Sequence, residues 1–516
     1  MSVTGVGSGN LAYRIPDEDL APPPPPPAAT AEIDGGDGDP ISRQDTSTTD
    51  GKPIQHDELY SGDGVEIRRE RTWQRTTSGT DVTSDQVVVE TTGSGDDRVE
   101  VRSNDDGTVD LYVNGERFPL ELEDGQEITV RTGDGDDTIW VDSDVQVNIV
   151  VESGAGDDFI MGGAGNDRID AGAGDDTVYG GAGRDDIFGN SGDDRLSGGD
   201  GNDVVYGGDG NDFMTGTAGD DYLEGGKGDD TIWGGAGNDI LSGGRDNDRL
   251  EGDGGDDTVY TGLGTDHVEN SGGRDKVYAQ DGEDTVTIGQ FADTGTTSNV
   301  VVNVVVSNVQ GVTVDPDASD AFRQRVEADL DLMRASPMGQ QLLADLQAAA
   351  DDRGNTVTLT ELQNEQNGFA APIGPNERAT IGDRFATPQG PGAGVDSVVV
   401  FNPSFHVDGD PNVANDVGFP NSFVVLHHEL AHAYNHVTGT MQPGLHQDPN
   451  STDGPHQVID PNTGRPFNVQ GINNAERQAV GLETNPPAGT PNPEYATENG
   501  MRGEMGLPDR PVYRTW

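Results

Sequence analysis

From Asp158 to Asp284 an aspartate recurs at every ninth residue without a break: Asp158, Asp167, Asp176, Asp185, Asp194, Asp203, Asp212, Asp221, Asp230, Asp239, Asp248, Asp257, Asp266, Asp275 and Asp284. Two residues after each stands an aliphatic side chain or methionine, from Ile160 and Ile169 through Met214 to Val277 and Val286. Glycines precede the aspartates, as in Gly207-Gly208-Asp209-Gly210-Asn211-Asp212. The unit is G-G-x-G-x-D-x-U-x, with U a large apolar residue. Glycine permits the positive backbone torsions of a tight turn, and aspartate supplies hard oxygen ligands of the kind calcium takes. The x-U-x triplet is a very short strand with one inward side chain. Alternating turn and strand, two nonapeptides close one turn of a coil, and stacked coils make a parallel β-roll. An acidic, Gly-rich disordered tract would have no reason to keep an aliphatic residue in phase fifteen times.

The repeat resembles the calcium-binding RTX repeats of secreted bacterial proteins, over roughly Gly154 to Ile288. Composition fits a cation-loading chain, because 30 Lys and Arg against 94 Asp and Glu leave a net charge of −64. That balance argues against nucleic acid as a partner. The chain has no cysteine, so calcium rather than disulfides would stabilise it outside the cell. No apolar run approaches the roughly 18 residues of a membrane span. Residues 1–40 carry neither a basic n-region nor an apolar h-region, so the expectation is export by a signal-peptide-independent route.

Four segments follow from composition: a Pro/Gly-rich disordered tail at 1–60, a β-rich N-terminal cap at 61–152, the β-roll at 153–310, and an α+β domain at 311–516. The cap alternates in short runs, and Asn114-Gly115 predicts a hairpin turn. Its pieces Gly95-Asp96-Asp97 and Gly133-Asp134-Gly135-Asp136-Asp137 read as degenerate, out-of-register repeats. Val300 to Val306 is expected to close the far end. Beyond about Val314 the pattern becomes α+β. Phe322, Val326, Leu330 and Met333 predict a helix over 319–334, and Ser336-Pro337 starts a second with Leu342, Leu343 and Leu346 on one face. Strands are predicted at Val357 to Leu362 and Ser397 to Phe401. The fold class is therefore multidomain: a β-rich cap and parallel β-roll followed by an α+β domain.

The last domain contains His428-Glu429-Leu430-Ala431-His432 on a predicted helix ended by Gly439. Histidines four apart share one helical face, about 6 Å from each other, and can both reach one zinc ion. Glu429 is then placed to take a proton from the attacking water, whose pKa a zinc ion lowers to about 7. A solvated His-rich helix is the bland alternative, since His427 and His436 flank the motif. Three ligands from one straight helix cannot surround an ion tetrahedrally, so His436 is expected to pack beside the site. Asn435 and Thr438 stand where the longer metzincin pattern needs Gly and His. The third ligand must come from downstream, and Glu476 in Asn473-Asn474-Ala475-Glu476-Arg477 is the candidate, with Glu483, Asp448, His446 and His456 in reserve. Tyr434, Tyr495, Tyr513 and His456 could donate to the developing oxyanion. Ser397 to Phe401 is the candidate edge strand for an extended substrate.

From Ser319 to the C-terminus the chain resembles the M91-type peptidases of bacterial effectors. The resemblance rests on Ser336-Pro337-Met338-Gly339, Leu342-Leu343, His428 to His432, Glu476 to Leu482 and the segment Thr497 to Arg510. With the histidine motif, it implies that the α+β domain at 311–516 is zincin-like, with zinc endopeptidase activity on a protein or peptide substrate. The expectation is a secreted calcium-dependent zinc metalloendopeptidase or protease toxin that uses Zn2+ and Ca2+. The competing reading is a calcium-binding structural or adhesive surface protein with an inactive peptidase domain.

Overall fold

A computed structural model describes residues 29–30, 42–47, 53–62, 64–76, 79–104, 108–120, 122, 125–270, 272–280, 283–288, 300–304, 311–316, 318–361, 368–373, 396–401, 422–438, 456–459, 466–469, 497, 501–502 and 504–505. The periodic region is a parallel solenoid of two facing sheets, one of 13 and one of 14 strands. Consecutive strands of the chain alternate between the sheets, and within each sheet neighbours are parallel with an 18-residue register, as in Ile169↔Ile187 and Val178↔Leu196. The aliphatic residue of each nonapeptide points between the sheets. Ile160, Val178, Met214, Leu241 and Val277 are among those fully enclosed, and Val286 packs against the same cluster.

The cap continues both sheets rather than forming a separate body. Pro53–Gly62, Val65–Thr76 and Gly79–Thr91 form an antiparallel meander whose last strand pairs in parallel with Glu127–Asp134. Arg98–Ser103 does the same with Thr138–Val141 after an antiparallel meander of its own. The Asn114-Gly115 turn is the expected hairpin: φ is 51° and 84° at its two residues, and Val113 pairs with Glu116. Its first full turn of coil is three residues longer than those that follow, since Val130 pairs with Val151 at a spacing of 21. At the other end Val300–Val304 joins the 14-stranded sheet as its last strand.

Two helices follow. Helix α1 (Asp320–Ala335) is capped by Ser319, whose Oγ accepts from Phe322 N at 3.1 Å. Helix α2 (Pro337–Arg353) is capped by Ser336, which accepts from Gly339 N at 2.9 Å, and ends at Gly354 in the left-handed conformation. A small mixed sheet runs in the order Thr313–Val314, Val357–Glu361, Asp396–Phe401, Gly368–Ile373. Helix α3 (Ser422–Thr438) packs on its Asp396–Phe401 and Gly368–Ile373 side. The predicted strand at Ser397 to Phe401 is present but lies inside the sheet, so it cannot receive an added strand. Among the described residues the edge beside α3 is Gly368–Ile373, antiparallel to Asp396–Phe401. Its Pro372 suits an edge, where a missing N–H breaks no ladder. No helix among the described residues is long and apolar enough to cross a membrane.

Candidate functional site

In the roll, each aspartate of the nine-residue register is turned inward beneath a glycine turn. From Asp176 onward its Oδ1 accepts a hydrogen bond from the backbone N–H of the aspartate one coil earlier, as in Asp167 N to Asp185 at 2.8 Å, Asp176 N to Asp194 at 2.8 Å and Asp185 N to Asp203 at 2.9 Å, while Asp167 Oδ1 accepts from Ile149 N at 2.7 Å. The second oxygen is different. From Asp167 to Asp257 each register Oδ2 is buried with no hydrogen-bond partner, an arrangement that costs free energy unless something cationic answers it. A Cβ at Gly162 would collide with both Asp167 Oδ2 and the carbonyl oxygen of Gly180, and one at Gly207 with Asp212 Oδ2 and Gly225 O. Carboxylate and carbonyl oxygens therefore converge on a space that only glycine leaves open. Burial raises these carboxyls, Asp185 and Asp230 to about 9 and Asp167, Asp176, Asp221, Asp248 and Asp257 to about 8.

The ladder changes at its ends. Asp284 Oδ2 accepts from Thr261 Oγ1 at 2.7 Å and from Gln280 N at 2.5 Å, so hydrogen bonds occupy the oxygen that is orphaned in the middle of the roll. At the start, Ser153 holds the glycine position before Asp158, and its hydroxyl donates to Ala171 O at 2.6 Å. The column extends one coil into the cap: Asp137 N donates to Asp158 Oδ1 and Asp137 Oδ1 accepts from Asp97 N, both at 2.7 Å. Asp137 was not among the candidate ligands. Its signal was the Gly133 to Ile139 fragment, which falls out of the nine-residue phase because its coil is longer.

In the C-terminal domain, α3 carries His428 and His432 one helical turn apart. Glu429 and His432 are buried, as are Leu426, Leu430 and Ala433, which fix the helix against the sheet and α2. Asn435, next to the motif, is buried and donates from Nδ2 to Ala431 O at 2.8 Å, which turns it into the helix rather than toward a ligand. Tyr434 is partly buried against the same core, and His456 lies in a hairpin of His456–Ile459 with Pro466–Val469. Glu476, Glu483, Asp448, His446, Tyr495 and Tyr513 lie outside the described residues. Among the described residues no three His, Asp or Glu side chains approach closely enough to hold a metal ion by themselves.

Residues 152–187, 179–214, 188–223, 215–250, 234–268 and 271–294 match the RTX calcium-binding nonapeptide repeat. Residues 310–513 match Peptidase_M91, a family described as effector protein. The chain joins RTX repeats to a Peptidase_M91 domain. The RTX repeats bind calcium, and the unpartnered Oδ2 atoms above the glycine turns are the chemistry such an ion needs. The Peptidase_M91 match spans α1, α2, the mixed sheet and α3, and so contains the histidine motif. No curated protein matches the chain.

Proposed function

We propose that this protein is a secreted bacterial zinc metalloendopeptidase, acting as a protease effector or toxin, built on a calcium-loaded β-roll. The observation that carries the reading is α3: within a Peptidase_M91 match, the helix is enclosed in the domain core, so that Glu429 and His432 are buried among the apolar residues that anchor them. His428, His432 and Glu476 would hold zinc, which when bound supplies a Lewis acid for a peptide carbonyl. Glu429 supplies the proton chemistry. Buried between two ligand positions, its carboxylate takes a proton from the attacking water and returns it to the leaving amine. An extended substrate adds to the edge Gly368–Ile373 through main-chain hydrogen bonds, which positions the scissile bond beside α3.

Calcium in turn would be held by the register aspartates Asp158 to Asp284 and the glycine carbonyls of the coil beside them. The molecule then reads as an N-terminal tail, a cap that already includes the strands Ser42–Ser47 and Pro53–Gly62 and runs to 152, the roll to 310, and the peptidase beyond; the tail expected to reach residue 60 is thus shorter. Metal analysis of the purified, calcium-loaded protein should give one zinc per chain, and the same sample should cleave an unfolded generic protein. Zinc-free, inactive protein would leave the adhesive calcium-binding reading standing instead.

A further inference from the structure

We infer that the calcium roll is a structural layer of the peptidase domain, so that calcium loading of the roll decides whether α1 and the motif helix α3 are held in place. The inference rests on packing; only its activity readout rests on the peptidase reading.

In an isolated roll, residues on the outer faces of both sheets would meet water. On the 13-stranded sheet they do: Arg195, Thr231, Arg249 and His267 remain partly or fully exposed. On the 14-stranded sheet the corresponding outward positions are buried, and many are large and apolar: Phe188, Val204, Tyr206, Tyr222, Ile240 and Tyr260, interspersed with buried Asp186, Glu224, Ser242 and Thr258. What covers them is α1. Phe322, Val326, Leu330 and Met333 join these roll residues in one hydrophobic cluster, which continues without a gap through Leu342 and Leu346 of α2 to Leu426, Leu430 and Ala433 of α3. Helix α1 is therefore buried on two sides, with the roll on one and α2 and α3 on the other.

Polar contacts fix the register of this docking. Arg325 is 7 % exposed, lies 3.7 Å over the Phe188 ring, and reaches Asp170 Oδ2 at 2.8 Å. Asp331 pairs with Arg245 of the roll. At the far end Glu504 joins three elements: its Oε1 accepts from Tyr260 OH at 3.4 Å, its Oε2 from Met338 N at 3.0 Å, and its carbonyl from Lys276 Nζ at 2.8 Å. One position of the repeat meets the helix directly. In the row Gly172, Asn190, Gly208, Gly226, Gly244, the one non-glycine is Asn190, in the left-handed conformation at φ 73°. Its carbonyl accepts from Gln324 Nε2, its Oδ1 from Arg325 at 3.4 Å, and its Nδ2 donates to Asp170 Oδ1 at 2.8 Å. A glycine would suit the turn better; the asparagine serves the helix.

Without cations the stacked aspartates repel one another and the coils separate. The outward row then ceases to exist as a surface, and α1 loses half of its buried contacts.

The full chain tests this by hydrogen exchange. Calcium is removed by gel filtration into zinc-containing buffer, because a chelator would strip zinc as well. On removal, residues 320–335 and 422–438 should lose protection together with residues 160–277 and regain it together as calcium is restored. The double variant Asn190→Gly, Arg325→Ala separates docking from folding, since it restores the repeat and cuts the anchor. With calcium saturating, its roll should stay protected as in the wild type, while α1 and α3 exchange faster, on the order of tenfold. Cleavage of an unfolded protein should fall in step. Wild-type protection of α1 and α3 in calcium-free protein would overturn the inference, and so would wild-type protection of both helices in the double variant. If the protection changes occur but no sample cleaves, the coupling holds and the peptidase reading fails.

Discussion

The register aspartates are held in a state that only a cation or a proton can relieve. Without an ion, burial raises their carboxyls, Asp194 to about 6, Asp203 to about 7, Asp185 to about 9. A carboxyl whose folded pKa lies above its unfolded value of 3.8 contributes stability that is full below that value and is lost as pH rises through the folded one. Calcium-free roll should therefore show most β-structure by circular dichroism near about pH 4 and lose it progressively toward about pH 9. A calcium-free signal that rises with pH would show that these carboxyls are not buried as described. At the proposed zinc site, Glu476→Ala should lower zinc affinity well beyond the roughly 10- to 100-fold of an outer-shell loss, while Glu483→Ala, further along the sequence, should keep the metal. Zinc retained by Glu476→Ala but lost by Glu483→Ala would reassign the ligand. The aspartates and His428 to His432 were legible because each chemistry needs a fixed spacing in sequence. Asp137 was legible only as a fragment, since its coil is 21 residues long and breaks the phase on which recognition depended.

At the scale of elements, the sequence spoke clearly where local chemistry decides. Ser319 and Ser336-Pro337 mark helix starts that the structure reproduces, and Asn114-Gly115 marks its turn. It was misleading where order in space differs from order in the chain. Asp396–Phe401 carries the apolar run and suggested an edge, yet the less regular Gly368–Ile373 lies outside it. A short strand containing proline offers little period to read, and only the antiparallel pairing reveals it. Helix α3 is held chiefly by Leu426 and Leu430, both fully buried. Leu430→Ala should cost about 2–5 kcal/mol of domain stability, measured as a lower denaturation midpoint in calcium, with zinc binding weakened because both histidines sit on that helix. A midpoint unchanged from wild type would mean that α3 does not pack as described.

For the whole molecule, what one sequence could not convey is that the modules share a core. Phe188, Tyr206 and Tyr222 occupy variable positions of the repeat, where any residue is allowed, and their role appears only when α1 lies across them. The acidic roll and the peptidase are thus a single mechanical unit, with the histidine helix at one end of a continuous apolar path that begins on the calcium-binding coils. This makes proteolysis the property on which the account stands. The most direct measurement compares wild type with Glu429→Gln, both calcium-loaded, for zinc content and for cleavage of an unfolded protein. Glu429→Gln removes the proton acceptor but no ligand, so zinc should remain at one per chain while cleavage falls by at least the roughly 10²- to 10⁴-fold that proton transfer contributes. Undiminished cleavage by Glu429→Gln would contradict the account.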